Sequence, residues 1–315
     1  ADQGTAQIKT IRIVLQIDNT ANFELKIDAS VVMATIQSVE EAKQDAIKYS
    51  DQTKTHTINT MLNLNDISEK WEGRTVYVKG YHAPENLALA QPYRGGGTRI
   101  YNANRKNEND GFLCINGWEL QIENNIVTPE QAGAKGDGVT DDYEAFTRLL
   151  RGTQIDRSKG LVVQLAKATY VTTKPIEMYG AITLRGSGYG NSIILKKTAS
   201  KSGITGRTDP FNNPYDYDKD AAVIFASWHG WYGDIHLQDF TIKKEAVNGV
   251  DVGYALLMPF IMQSNFTNVQ TLGGEYGIWC EDAWMINWNR VKVTAKGGWY
   301  IGTGTSHSFH SCWVT

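Results

Sequence analysis

The chain has 315 residues, enough for two or three folding units, and its 41% hydrophobic and 10% aromatic content supplies a sizeable core. A formal net charge of −3 and the lack of any basic run argue against nucleic acid as a partner. The longest apolar stretch, Ala255 to Met262, is broken by Pro259 and too short to span a bilayer, and residues 1–10 hold no apolar core of the signal-peptide kind.

Two alternating runs, Ile11 to Ile17 and Phe23 to Ile27, joined through Asp18-Asn19-Thr20, predict an N-terminal β-hairpin over residues 1–29. From about Ser30 to Glu69 the chain is polar and lacks proline and glycine, which predicts a helix, with Ser38 and Glu41 as a capping box. A seven-residue spacing places Val32, Val39, Ala46, Thr53 and Thr60 on one seam, with Thr35, Ala42, Tyr49 and His56 between them. Such a polar seam is marginal alone, so residues 30–70 read as a trimeric neck rather than an isolated surface helix.

Short strands then alternate with glycine-rich turns: Thr75 to Tyr81, Gly95 to Tyr101 and Gly111 to Leu120. Residues 71–125 therefore form a small β domain. The triple glycine at 95–97 lacks the Lys-Ser/Thr and the following helix of a phosphate loop, which argues against nucleotide binding. Next, Gly133, Gly136 and Gly138 allow a tight loop, and Asp141 or Asp142 caps a helix with Ala145, Phe146, Leu149 and Leu150 on its apolar face.

The run Gly133-Ala134-Lys135-Gly136-Asp137-Gly138-Val139-Thr140-Asp141-Asp142 closely resembles the entry to the pectate-lyase-like right-handed parallel β-helix of bacteriophage tailspike depolymerases. The segments 78–84, 95–102 and 109–120 resemble the small β domain that precedes it, so the resemblance covers roughly residues 71–315. It implies that the loop and helix plug the N-terminal end of a solenoid, with Asp137, Asp141 and Asp142 as turn and cap residues.

The remaining chain is periodic. Aligning Leu237–Ile242, Phe266–Thr271, Trp288–Val293 and Phe309–Val314 puts Phe240, Val269, Val291 and Cys312 at steps of 29, 22 and 21 residues. A second series, starting at Tyr254, Tyr276 and Gly298, steps by 22 and 22. Repeats of this size built from short alternating strands indicate a β-solenoid beginning near Leu161, within a domain spanning residues 126–315. Phe240, Val269, Val291 and Cys312 should form one inward column. The pattern stops at Thr315 without a polar capping repeat and Ala1 is no initiator methionine, so the expectation is a chain continuing at both ends. Cys114, Cys280 and Cys312 have no metal-ligand spacing and read as free thiols made in a reducing cytoplasm.

Seven of the nine tryptophans follow residue 227. Trp288 aligns with core positions, whereas Trp228, Trp231 and Trp284, in turns beside Gly, His or Asp, are candidate sugar platforms. Glycoside hydrolysis needs two carboxylates, about 5–5.5 Å apart for retention and about 6.5–9.5 Å for inversion. Elimination at a uronate needs a base with groups that neutralise the substrate carboxylate. Candidate acids in coil turns are Asp251, Glu275, Glu281 and Asp282, with Asp251 and Glu275 placed to meet on adjacent rungs. Asp209 to Asp220 reads as an insertion between coils. His229, His236, His307 and His310 lack metal spacing, with His307 and His310 flanking Phe309 on one strand and pointing away from it. No metal site or cofactor is expected.

The fold expected is therefore mainly β, a right-handed parallel β-helix. The resemblance implies a homotrimeric virion protein, assembled in the host cytoplasm and attached through its N-terminus to a tail or baseplate protein. It would act on capsular polysaccharide or lipopolysaccharide at the cell surface, with no membrane insertion. The abundance of acids and aromatics and the lack of a Lys/Arg cluster in the coils favour hydrolysis over elimination, with the 315-residue piece alone inactive. A non-catalytic glycan-binding spike is the alternative. A secreted pectinase-like lyase is disfavoured by the missing signal peptide, the free cysteines and the neck-like helix.

Overall fold

A computed structural model describes residues 36–45, 56–85, 93–155, 160–198, 206–208, 214–215, 217–227, 233–249 and 252–315. The chain divides into two compact units, residues 1–53 and 54–315. The predicted hairpin lies outside the described residues. In the first unit a helix runs over residues 36–45, with Ile36 and Val39 exposed and Gln37 donating to Glu41 Oε1 at 3.1 Å. Ser38 lies within this helix rather than capping it. Among the described residues, no helix is long and apolar enough to cross a membrane.

The predicted helix does not extend to residue 70. His56–Thr60 is a β-strand and Met61–Leu64 a 3₁₀ turn. The β-branched Thr57, Ile58 and Thr60 suit an extended chain, and burial of Ile58, Met61, Leu64 and Ile67 outweighs the helical pattern. His56 and Thr60, read as seam positions, are strand residues. The strand pairs in parallel with Thr75–Gly80, which runs antiparallel to Gly95–Tyr101, and Trp118–Leu120 and Cys114–Ile115 complete a five-stranded sheet. Val76 and Val78 face the core while Tyr77 and Lys79 face outward, as strand alternation requires.

The loop and helix after this sheet close the start of the solenoid. Asp142, 2% exposed, accepts the backbone N–H groups of Lys135 at 2.7 Å and Gly136 at 3.0 Å. Asp141 accepts from Tyr143 N, Thr173 N and the Thr173 hydroxyl, and Asp137 accepts from Val139 N, Thr140 N and the Thr140 hydroxyl. All three acids act as turn and cap residues, as the sequence suggested. The helix Tyr143–Ile155 buries Ala145, Phe146, Leu149 and Leu150 against the first coil, with Phe146 edge-on to Tyr170 at 5.5 Å. Beneath it the buried Glu130 binds Arg94 and the Tyr170 hydroxyl.

From Val162 onward the strands stack in parallel, coil upon coil, apart from the short antiparallel pair Arg207–Thr208 and Pro214–Tyr215, which forms a separate sheet. One coil holds Ile182–Arg185, Ser192–Lys196 and Ala222–Ser227. The next holds Ile235–Lys244 and Tyr254–Met262, followed by Asn265–Leu272 and Tyr276–Trp284. Then come Asn287–Asn289, Lys292–Thr294 and Trp299–Thr305. All coil-to-coil pairings among these strands are parallel, and the fold is the expected right-handed parallel β-helix. Leu237, Phe266, Trp288 and Phe309 pair in register, with Phe266 stacked on the fully buried Trp288 at 4.5 Å. Phe240 pairs with Val269, and the pairings Gln270–Lys292 and Lys292–Trp313 set Val269, Val291 and Cys312 above one another. The inward column is present as predicted.

Corners recur at left-handed residues. Asp239, Asn268, Arg290 and Ser311 all have φ between 52° and 59°, and Asp234, Gln263, Met285 and Ser306 have φ between 48° and 61°. Asn268 Nδ2 donates to Asp239 Oδ1 at 2.6 Å, joining two corners. In the second strand series Ile278 pairs with Trp299, a step of 21 rather than the 22 read from the sequence. This register turns Trp299 and Ile301 toward the core and Tyr300 outward; a one-residue slip would reverse all three.

Candidate functional site

The strands Ala222–Ser227, Tyr254–Met262, Tyr276–Trp284 and Trp299–Thr305 lie side by side in one parallel sheet. Its inner face carries Ile224, Leu256, Ile278, Cys280 and Ile301 in the solenoid core. Its outer face carries an aromatic ladder. Phe225, Leu257, Trp279 and Tyr300 occupy one register row, and Tyr254 and Tyr276 pair three positions earlier on their strands. Strand alternation forces this outcome, because Ile278 and Cys280 point inward and leave Trp279 outside.

The rings touch one another. Trp279 stacks on Tyr254 at 4.9 Å and on Tyr276 at 6.0 Å, and meets Tyr300 edge-on at 5.4 Å and Tyr217 edge-on at 5.3 Å. Phe225 and Leu257 are buried beneath, whereas Tyr300 is 38% exposed. Burial, with the negative charge of Glu275 nearby, pushes the Tyr254 phenol up to about 12, so it remains a neutral hydrogen-bonding group.

Of the candidate acids, Glu281 and Asp282 lie inside the strand Tyr276–Trp284 rather than in a turn after it. The inward set steps from Cys280 to Ala283, so the strand bends between them and both acids come to the outer side, half-buried. Asp282 Oδ1 accepts the indole N–H of Trp284 at 2.5 Å and the Thr303 hydroxyl at 3.2 Å. Glu281 lies over Gly302, where a Cβ would stand 3.4 Å from the Glu281 carboxyl carbon and 3.2 Å from the Tyr300 hydroxyl. Trp284, 43% exposed, ends the strand and is no turn residue.

Glu275 sits at the other end of the strand, six residues from Glu281 and so roughly 20 Å away. The structure does not bring it together with Glu281 and Asp282. Asp251, Trp228 and Trp231 lie outside the described residues, and so does the pairing of Asp251 with Glu275. Among the described residues no cluster of His, Cys, Asp and Glu is arranged to hold a metal ion.

His307 departs from its expected place. It precedes the strand Ser308–His310, accepts the Trp288 indole N–H on Nδ1 at 3.2 Å and donates from Nε2 to Ala283 O at 2.9 Å. An indole only donates and a carbonyl only accepts, so the ring is neutral with its proton on Nε2. It is a wedge beside the core, not a surface ligand.

Trp279, Tyr300, Tyr254 and Tyr276, which dominate this face, are not among the candidates expected from the sequence. Their signal was the steps of 22 and 21 linking Leu257, Trp279 and Tyr300, visible once the register is known.

Residues 125–228 match the family of rhamnogalacturonase A/epimerase, pectate lyase-like proteins. The tailspike gp42 of Acinetobacter phage vb_AbaP_AS12 is similar, with 34% identity and a TM-score of 0.73 over 83% of this chain and 45% of that one. This chain thus spans less than half of that tailspike's length. More distant are the enzymatically active domain of bacteriophage CBA120 tailspike protein 2, at 16% identity over 89% of this chain and 42% of that one, with a TM-score of 0.49. The tailspike gp49 of Acinetobacter baumannii bacteriophage Fri1, a capsular polysaccharide depolymerase, follows at 11% identity over 82% and 62%, with a TM-score of 0.41. A comparison with curated proteins finds no match.

Proposed function

We propose that this chain, a pectate-lyase-like parallel β-helix of the bacteriophage tailspike type, is part of a virion spike that binds and degrades a bacterial surface polysaccharide, capsule or O-antigen. The observation that carries the reading is the aromatic ladder of Tyr254, Tyr276, Trp279 and Tyr300 on a rigid sheet beside Glu281 and Asp282. Aromatic rings offer flat apolar surfaces to the C–H faces of sugars at small entropic cost, and carboxylates accept from sugar hydroxyls. The similarity to a tailspike over 83% of the chain supports the same reading. The protein would assemble as a homotrimer in the host cytoplasm, attach to the tail through its N-terminal unit and act at the cell surface.

Hydrolysis is the chemistry we favour over elimination. On the strands Tyr276–Trp284 and Trp299–Thr305 the acidic side chains Glu281 and Asp282 have no Lys or Arg beside them to neutralise a uronate. Glu281 is the acid free to reach substrate, whereas Asp282 holds Trp284 and Thr303 and acts by positioning. One acid without a hydrogen-bonded partner carboxylate does not make a hydrolytic pair, so the 315-residue chain should bind glycan without cleaving it. The committed hydrogen bonds of Asp282 also favour the second reading, a spike that recognises its glycan without cutting it.

Incubating the intact spike with host capsular polysaccharide and with lipopolysaccharide separates these readings. New reducing ends without an ultraviolet-absorbing unsaturated uronate support hydrolysis, and the unsaturated product supports elimination. Binding with no change in polymer length would leave the adhesin.

A further inference from the structure

We infer that the small β domain holds a second saccharide-binding cleft, separate from the outer face of the solenoid sheet. Where the strands Thr75–Gly80 and Gly95–Tyr101 meet the segment from Gln121 to Gln131, a cleft of about 520 Å³ opens. Pockets that take small ligands measure roughly 300–1,000 Å³.

The sheet's register builds the floor. Val76 and Val78 point into the core, so Tyr77 and Lys79 point into the cleft. Tyr77 pairs with Thr57 on one side and with Thr98 on the other, and Gln121 N donates to Thr98 O. Thr57, Tyr77, Thr98 and Gln121 therefore form a solvent-facing row of hydroxyl, phenol, hydroxyl and amide across four successive stretches of chain. Lys79 lies opposite Gly96, where a Cβ would come within 2.3 Å of the backbone oxygens of Val78 and Lys79. Only glycine fits there, and with no side chain on that strand the cleft stays open beside Lys79.

The walls supply what a pyranose needs. Tyr77 is 44% exposed, and a second ring, Tyr93, has the Lys79 ammonium 5.5 Å from its centroid. The Thr98 hydroxyl, the Glu123 carboxylate and the Asn124 amide line the same cleft and make no side-chain hydrogen bond among the described residues. Two rings for stacking, with a cation, an anion, an amide and a hydroxyl available as donors and acceptors, suit a polyhydroxylated ring better than an apolar ligand or a phosphate. The ligand class is an oligosaccharide, and the inference stands whether or not the solenoid face binds glycan.

The test uses the 315-residue chain with tetrasaccharides of galacturonate, N-acetylglucosamine and glucose as probes, read by saturation-transfer NMR and titration calorimetry. At least one probe should bind the Trp279→Ala protein. Tyr77→Ala and Glu123→Lys should weaken that binding ten-fold or more, and Tyr77→Phe should retain it. If Tyr77→Ala fails to fold, Thr98→Trp, which fills the row, carries the test. The inference is overturned if no probe binds, or if binding is lost with Trp279→Ala and unchanged by the cleft variants. It is equally overturned if Tyr77→Ala changes the sedimentation coefficient, which would make the cleft an interface between copies.

Discussion

Trp279 stacks on Tyr254 from the preceding coil, with ring centroids 4.9 Å apart and planes 20° from parallel. Tyr254 pairs with Tyr276, three register positions from the Leu257–Trp279 pair on the same two strands, so the contact is set by coil stacking rather than by a loop. Such a ladder keeps its spacing without any ligand, which makes it a preorganised platform.

Replacing Trp279 with alanine removes the centre of that platform. Stability should fall by about 2 kcal/mol, since aromatic pairs contribute about 0.5–1.5 kcal/mol beyond area burial. Glycan affinity should fall about ten-fold, or about 1.4 kcal/mol. Trp279→Phe should recover most of both, measured by thermal melts and calorimetry. Undiminished affinity in the alanine variant would remove the ladder from the binding surface.

Asp142 ties the entry loop to the helix through two backbone N–H groups. Asp142→Ala leaves both donors buried and should cost about 2–4 kcal/mol. Burial lifts its carboxyl from 3.8 to about 6, against the pull of the two N–H groups. A folded pKa above the unfolded one means that the folded form holds the proton more tightly. This contribution to stability is present below about pH 4 and is lost as the pH rises through about 6. The difference in melting temperature between wild type and Asp142→Asn should therefore shift against wild type across that window. A difference that is flat with pH would show that Asp142 titrates normally.

Much of the solenoid was legible in the residues. Phe240, Val269, Val291 and Cys312 could be aligned because apolar alternation marks the inward face, and Gly133 to Asp142 marked the entry. The aromatic face was not, because Trp279 and Tyr300 fall in register only after a step of 21 replaces one of 22 near Gly298. Asp239 and Asn268 carried an unread sign of the corners, since Asn and Asp tolerate the left-handed conformation. His56 to Thr60 misled in the other direction. Its polar pattern looks helical until Ile58 and Met61 find a core to enter.

The left-handed corners give a paired stability test. Met285 has φ 55° with no side chain suited to it, so Met285→Asn should stabilise by about 0.5–1 kcal/mol. Asn268→Ala should destabilise by about 1–2 kcal/mol, losing both conformational tolerance and the bond to Asp239. Urea unfolding midpoints with unchanged slopes would register both.

Thiol labelling reports burial directly. Cys280 and Cys114 are fully buried and burial pushes both thiols up, whereas Cys312 is partly exposed. In the 315-residue chain, where Cys312 points inward from the last coil, iodoacetamide should modify Cys312 first and leave the other two intact until the protein unfolds. Early modification of Cys280 would place it outside the solenoid core.

In the proposed function the outer face of this sheet carries the glycan. A crystal structure of the intact spike soaked with an oligosaccharide released from its host's polysaccharide tests it most directly. Sugar rings should lie against Trp279 and Tyr300, with hydroxyls within hydrogen-bond reach of Glu281. Sugar bound elsewhere on the solenoid, with Trp279 and Tyr300 covered by another copy of the chain, would contradict it.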